Sequence, residues 1–112
     1  MPKLDRISVV LAIWCPHCVP LSLENVEKMA SDLHVPFRVL DIDHADQEKI
    51  GDELVKKYGD NTVDYIIPQV FGEFSDGSVR HILTGSSEGV PVTKQRWENF
   101  FLSNYYNSLK SN

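Results

Sequence analysis

The chain has 112 residues, 42% of them hydrophobic and 24% charged, a length and balance expected of one globular domain with a single core. Its formal net charge of -5 and the dispersal of its Lys and Arg argue against nucleic acid or anionic lipid as partners, because a phosphate surface rewards clustered cations. The opening Met1-Pro2-Lys3-Leu4-Asp5-Arg6 places charges where a secretion signal carries its apolar stretch, and Ile7 to Trp14 is too short to span a bilayer, so a cytoplasmic protein is expected.

Arg6 to Trp14, RISVVLAIW, is almost continuously apolar and rich in β-branched residues, the pattern of a strand buried on both faces. From Pro16 to Leu33, Leu23, Val26, Ala30 and Leu33 recur at helical spacing while Glu24, Glu27, Lys28 and Asp32 can face water, which predicts a helix beginning at the cysteine pair. Val35-Pro36 ends it, and Phe37 to Ile42 reads as a second strand running into the acidic stretch Asp41 to Asp46. With Asp43 as a candidate N-cap, a helix over Ala45 to Tyr58 would put Ile50, Leu54 and Tyr58 on one stripe and stop at Gly59-Asp60-Asn61.

Ile66 to Phe74 and Val79 to Thr84 flank Ser75-Asp76-Gly77-Ser78, whose Asp-Gly tolerates the positive φ of a tight hairpin. After a loop from Gly85 to Val92, Thr93 is the expected N-cap of a last helix with Trp97, Phe100, Phe101 and Tyr105 on its inner face. The order β-α-β-α-β-β-α, with one parallel crossover and a terminal hairpin, predicts an α/β domain: a four-stranded mixed sheet flanked by three helices, with helices on both faces.

Two cysteines separated by two residues make a poor structural staple in a reducing compartment and point to redox or metal chemistry. Tetrahedral zinc would need two further ligands, and His34, His44 and His81 are scattered through separate elements, where they read as surface residues; no metal site is expected. A thiol must ionise to attack a disulfide, and Cys15 at a helix N-terminus is helped by unpaired amides and the positive helix end. Cys18, on the first turn, lies within reach of a mixed disulfide on Cys15 and can resolve it. Pro16 suits a first helical turn, where its missing N–H has no partner to lose. His17 can donate a hydrogen bond to the Cys15 thiolate, which would favour the dithiol over the disulfide.

Trp14-Cys15-Pro16-His17-Cys18, closing the first strand, and Ile67-Pro68, opening the third, are similar to the active-site motif and cis-proline of the thioredoxin superfamily, and the resemblance covers nearly the whole chain. It implies a thioredoxin fold over residues 1–112 as a single domain, and a thiol-disulfide oxidoreductase carrying electrons in cell redox homeostasis. Cys15 would be the nucleophile and Cys18 the resolver, with Pro16 and His17 tuning them. Ile67 and Pro68 would offer backbone to an extended substrate by strand addition, and Trp14, unless it is simply a core aromatic, would shape the partner groove.

The implied partners are disulfide-containing proteins or small disulfides, with a reductase or glutathione as electron donor and the protein a monomer. Pro68-Gln69-Val70-Phe71 resembles the glutaredoxins, and Thr84-Gly85-Ser86-Ser87-Glu88 is similar to the segment with which they hold glutathione, so no bound cofactor is implied beyond glutathione as co-substrate. Val9 stands where thioredoxins carry a buried acid, and Pro16-His17 replaces their usual Gly-Pro. The reading from another class is a binding module that holds a peptide at Ile67 and Pro68, or a metal or iron-sulfur cluster through the cysteines, without turnover.

Overall fold

A computed structural model describes residues 2–60 and 65–110. Met1 and Asn61, which figure in the readings of the chain start and of the second helix stop, lie outside the described residues. The apolar run at the start forms β1 (Leu4–Leu11), the central parallel partner of β2 (Phe37–Asp41), with Val9 opposite Val39 and Leu11 opposite Asp41. On its other edge β1 pairs antiparallel with β3 (Gln69–Phe74), which pairs antiparallel with β4 (Val79–Thr84), so the four-stranded mixed sheet runs β2-β1-β3-β4. Gly77, at φ 86°, supplies the positive dihedral the hairpin turn requires.

Alternation along β1 divides the core. Ile7, Val9 and Leu11 join a cluster with Val26, Met29 and Ala30 of α1 (Leu23–Leu33), Trp97 and Phe100 of α3 (Val90–Phe101), and Tyr106 and Leu109 of α4 (Asn104–Lys110). Val10 points the other way, with Leu40 and Phe71, against Leu54 and Val55 of α2 (Ala45–Tyr58). Helices therefore cover both faces, as expected.

Their number and faces need correction. Among the described residues four α-helices flank the sheet rather than three, because the expected last helix stops at Phe101 and restarts at Asn104. Ser103 causes the restart: its Oγ accepts the Tyr106 N–H at 3.2 Å, a side-chain cap that satisfies an orphan amide. In α2 the buried stripe is Gly51, Leu54 and Val55, and Ile50 and Tyr58 are exposed. Gly51 sets that rotation, since a Cβ there would lie 3.1 Å from Val10 Cγ1 and hold the helix off the sheet.

At the end of the sheet remote from the cysteines, Glu73 on β3 gathers cations across three strands. Arg6 donates to it from Nε at 2.9 Å and from Nη2 at 2.7 Å, Ser8 donates its hydroxyl, and Arg38 Nη2 lies 3.5 Å away. No helix among the described residues is long and apolar enough to cross a membrane.

Candidate active site

The first strand ends at Leu11, earlier than its apolar run implies, because Ala12 to Trp14 turn: the Cys15 N–H donates to the Ala12 carbonyl at 3.1 Å. Ile13 and Trp14 are carried outward by this turn, 65% and 69% exposed, so Trp14 is no core aromatic. Its indole Nε1–H donates to Asp43 Oδ2 at 2.9 Å. Asp43 therefore does not cap α2; His44 occupies that position, with no side-chain cap.

The Cys15 carbonyl accepts both the Cys18 and the Val19 N–H at 3.0 Å, and this single turn brings the two sulfurs to one place. Pro16 has helical dihedrals within it (φ -67°, ψ -22°). The expected uninterrupted helix from Pro16 does not form. Val19 is extended (φ -129°, ψ 124°), the Val19-Pro20 peptide is cis, and regular α-helix starts only at Leu23. Pro20 is the physical reason, since it has no N–H to continue a helical ladder. Cys15 thus heads one irregular turn, not the N-terminus of α1.

Both cysteines are free thiols, Cys15 6% exposed and Cys18 fully buried. Burial pushes the Cys18 thiol well above its ordinary range. A hydrogen bond from the Ala12 backbone works the other way, and Cys15 and the carboxylate of Asp41 add to the rise. Asp41 is itself buried at the end of β2, its Oδ1 accepting the Asp43 N–H at 2.9 Å.

His17 is half-buried, and its Nδ1 lies 2.8 Å from Thr93 Oγ1, a partner the sequence did not suggest. Thr93 is not the N-cap either. Gly89 caps α3, Pro91 stands in its first turn, and Thr93 is fully buried one turn in, where Oγ1 also accepts the Ser86 N–H at 2.9 Å. Ile67 packs against the cluster that contains Cys15 and Cys18, and the Ile67-Pro68 peptide is cis. Gly85 closes on it: its N–H donates to the Pro68 carbonyl at 2.8 Å, and a Cβ on Gly85 would lie 2.6 Å from Pro68 Cδ. The Gly85–Gly89 loop is therefore tied to Pro68 at one point and, through Thr93, to His17 at another.

Beside this loop lies a cleft of about 340 Å³ lined by Asp60, Ile66, Thr84, Ser86, Glu88 and Arg96. His81 is not the plain surface residue expected. Its Nε2 meets Thr84 Oγ1 at 2.6 Å, that hydroxyl donates to Asp60 Oδ2 at 2.7 Å, and burial lowers the imidazole pKa more than Asp60 raises it. His34 and His44 are exposed, as read; His34 closes α1 in the left-handed conformation (φ 57°). Among the described residues no group of three or more His, Cys, Asp or Glu side chains is placed to hold a metal ion.

Thr93, Gly85 and Asp43 are the members of this constellation whose roles sequence reasoning missed. His17 and Thr93 are 76 positions apart, a separation that no local pattern bridges.

No family model matches the chain, and no solved structure matches it. Among curated proteins it is similar to a dimodular nonribosomal peptide synthase of Bacillus subtilis (strain 168), with 30% identity over 102 residues. That stretch is 88% of this chain and 4% of the synthase, so the chain spans a small fraction of the curated relative it matches.

Proposed function

We propose that the chain is a thiol-disulfide oxidoreductase of thioredoxin fold. The observation that carries this reading is the pair of neighbouring free thiols on one turn, Cys18 fully buried and Cys15 at the surface edge beside exposed Trp14. The strand order β2-β1-β3-β4 and the placement of Ile67-Pro68 against the cysteine cluster favour the same reading. A match over 4% of a peptide synthase carries none of that protein's activity to this chain.

In the proposed reaction the Cys15 thiolate attacks one sulfur of a partner disulfide, forming a mixed disulfide and releasing the other sulfur as a thiol. Cys18 gives up its proton and attacks Cys15 Sγ. The second partner thiol leaves, the partner has gained two electrons, and a Cys15–Cys18 disulfide remains for glutathione or a dithiol reductase to reduce. Burial keeps Cys18 protonated, so the mixed disulfide persists until that proton is drawn off, and resolution quickens as pH rises because the attacking form is the thiolate.

The test is turnover of a protein disulfide with a regenerating reductant. Cys15→Ser should abolish it, and Cys18→Ser should accumulate partners as mixed disulfides on Cys15. Stoichiometric binding without turnover by the unmodified protein would instead identify a binding module, and trapping through Cys18 would reverse the assignment.

A further inference from the structure

His17 is the one titratable side chain between the cysteines, and its Nδ1 contacts a hydroxyl with an unusually complete set of neighbours. Thr93 Oγ1 lies 2.8 Å from His17 Nδ1, accepts the Ser86 N–H at 2.9 Å, and stands 3.4 Å from the Gly89 carbonyl. A hydroxyl has one proton and two lone pairs. With the Ser86 N–H on one lone pair, the hydroxyl proton can go to His17 Nδ1 or to the Gly89 carbonyl, and the second lone pair is open to an N–H on Nδ1.

We propose that Thr93 is a positioning residue for His17, holding the neutral ring in the tautomer with its N–H on Nε2 and keeping the same contact when the ring is protonated. In the neutral ring, Thr93 donates its proton to Nδ1, so Nε2 carries the N–H. When the ring gains a proton, Nδ1–H donates to the second lone pair of Oγ1, and the hydroxyl proton turns to the Gly89 carbonyl. At Oγ1 and Nδ1 each donor has an acceptor in both states, and the ring need not move to keep the contact. A valine fills nearly the same space but supplies neither proton nor lone pair. It would leave Nδ1 and the Ser86 N–H without partners, and such loss is costly in a buried place. Thr93 thereby ties His17 to the Gly85–Gly89 loop, whose first residue packs on Pro68.

This inference rests on the oxidoreductase reading, and its test separates the two. Ring ¹⁵N shifts of His17 in the unmodified protein at neutral pH should report the Nε2–H tautomer; the Nδ1–H tautomer would overturn the proposal without any variant. Equilibration of the dithiol with a glutathione buffer is then compared for wild type, Thr93→Val, Thr93→Ser, His17→Ala and the His17→Ala/Thr93→Val double variant. Loss of one hydrogen bond should move the Thr93→Val equilibrium constant roughly two- to tenfold, in the direction of His17→Ala, while Thr93→Ser stays at the wild-type value. In the His17→Ala background Thr93→Val should add nothing. An undiminished effect there would mean that Thr93 acts only through packing and sinks the proposal, as would equal constants for wild type and Thr93→Val. Failure of the wild type to exchange with glutathione or any protein disulfide would count against the oxidoreductase reading, while the ¹⁵N shifts still decide the Thr93 contact.

Discussion

The two ends of the central sheet are built on opposite plans. At the Glu73 end the strands stay paired, through a register shift between Leu4 and Arg6, and polar groups meet across them: Arg6, Ser8 and Arg38 converge on one carboxylate. At the cysteine end regular structure gives out in every element that arrives there. β1 stops at Leu11, the helical turn breaks at Val19-Pro20, and Ile67-Pro68 and the Gly85–Gly89 loop interlock before α3 begins. The contrast teaches that the fold and the proposed thiol site are held by different means, ladders and ion pairs at one end, irregular turns fixed by single hydrogen bonds at the other. Substitutions should dissociate accordingly, with chemistry lost at the cysteine end and stability lost at the other.

The largest effect is expected at Gly85. Any Cβ there must displace Pro68, because 2.6 Å is far inside contact distance and the atom it meets belongs to a ring with no freedom to swing aside. Gly85→Ala should move the Ile67-Pro68 segment against the cysteines. Misplacement on the order of 1 Å costs up to about a hundredfold, so exchange with a protein disulfide should fall by roughly ten- to a hundredfold. Fluorescence-detected reduction of a protein disulfide measures this, and an unchanged rate would detach the loop from the site.

Glu73→Gln should do the reverse. Burial opposes ionisation of this carboxylate, yet the hydrogen bonds from Arg6 and Ser8 and the charges of Arg38 and Arg6 outweigh it and hold its pKa below the ordinary value. A depressed folded pKa means that the unfolded chain binds the proton more readily, so the contribution is complete above the unfolded value of about 4.3 and is lost as pH falls through the folded value. Glu73→Gln should cost about 1–2 kcal/mol at neutral pH, discounted because the Arg6 side chain is 40% exposed, and should leave disulfide exchange intact. Urea melts of the two proteins should converge as pH is lowered through 4; a constant gap would assign the loss to shape rather than charge.

How much of this could be read from the chain follows the same division. The order of the strands and α2 was legible because apolar runs and alternation are local, and Val79 to Thr84 behind Asp76-Gly77 matches β4 residue for residue, although β3 begins at Gln69 rather than Ile66 and β2 ends at Asp41 rather than Ile42. The cysteine end misled in particular ways. Ala12-Ile13-Trp14 extends the apolar run but serves a turn and an exposed surface, so hydrophobicity overstated β1. Leu23, Val26, Ala30 and Leu33 carry helical spacing only from Leu23, where α1 does begin, and extending the expected helix back to Pro16 takes it across Pro20, a proline readable as a break. Thr93 has the chemistry of an N-cap, but Pro91 is the better marker of the α3 start, and the threonine serves His17 instead. The Glu73 network was illegible for another reason: it depends on strand register, which places Arg6 opposite Glu73 and Ser8 opposite Arg38, and register is a property of pairing rather than of any one segment.

The smallest expected effect tests the comparison most closely, because it sets a second carboxylate, at the cysteine end, beside Glu73. Asp43 also accepts a hydrogen bond from a nitrogen, Trp14 Nε1 at 2.9 Å, but the donor is neutral and its ring is 69% exposed. Water competes for both partners, so the bond contributes at the low end of the usual range, about 0.5 kcal/mol, to holding the indole in one place. Asp43→Ala should therefore leave the thermal midpoint almost unchanged. If Trp14 forms part of the partner groove, its added freedom must be lost again on each encounter with a protein, and KM for a protein disulfide should rise about twofold while kcat holds. A small disulfide that makes no contact with the indole should show no change in either constant. Equal changes for both substrates would place the effect on the cysteines themselves, and no change for either would make Trp14 an exposed aromatic with no part in recognition.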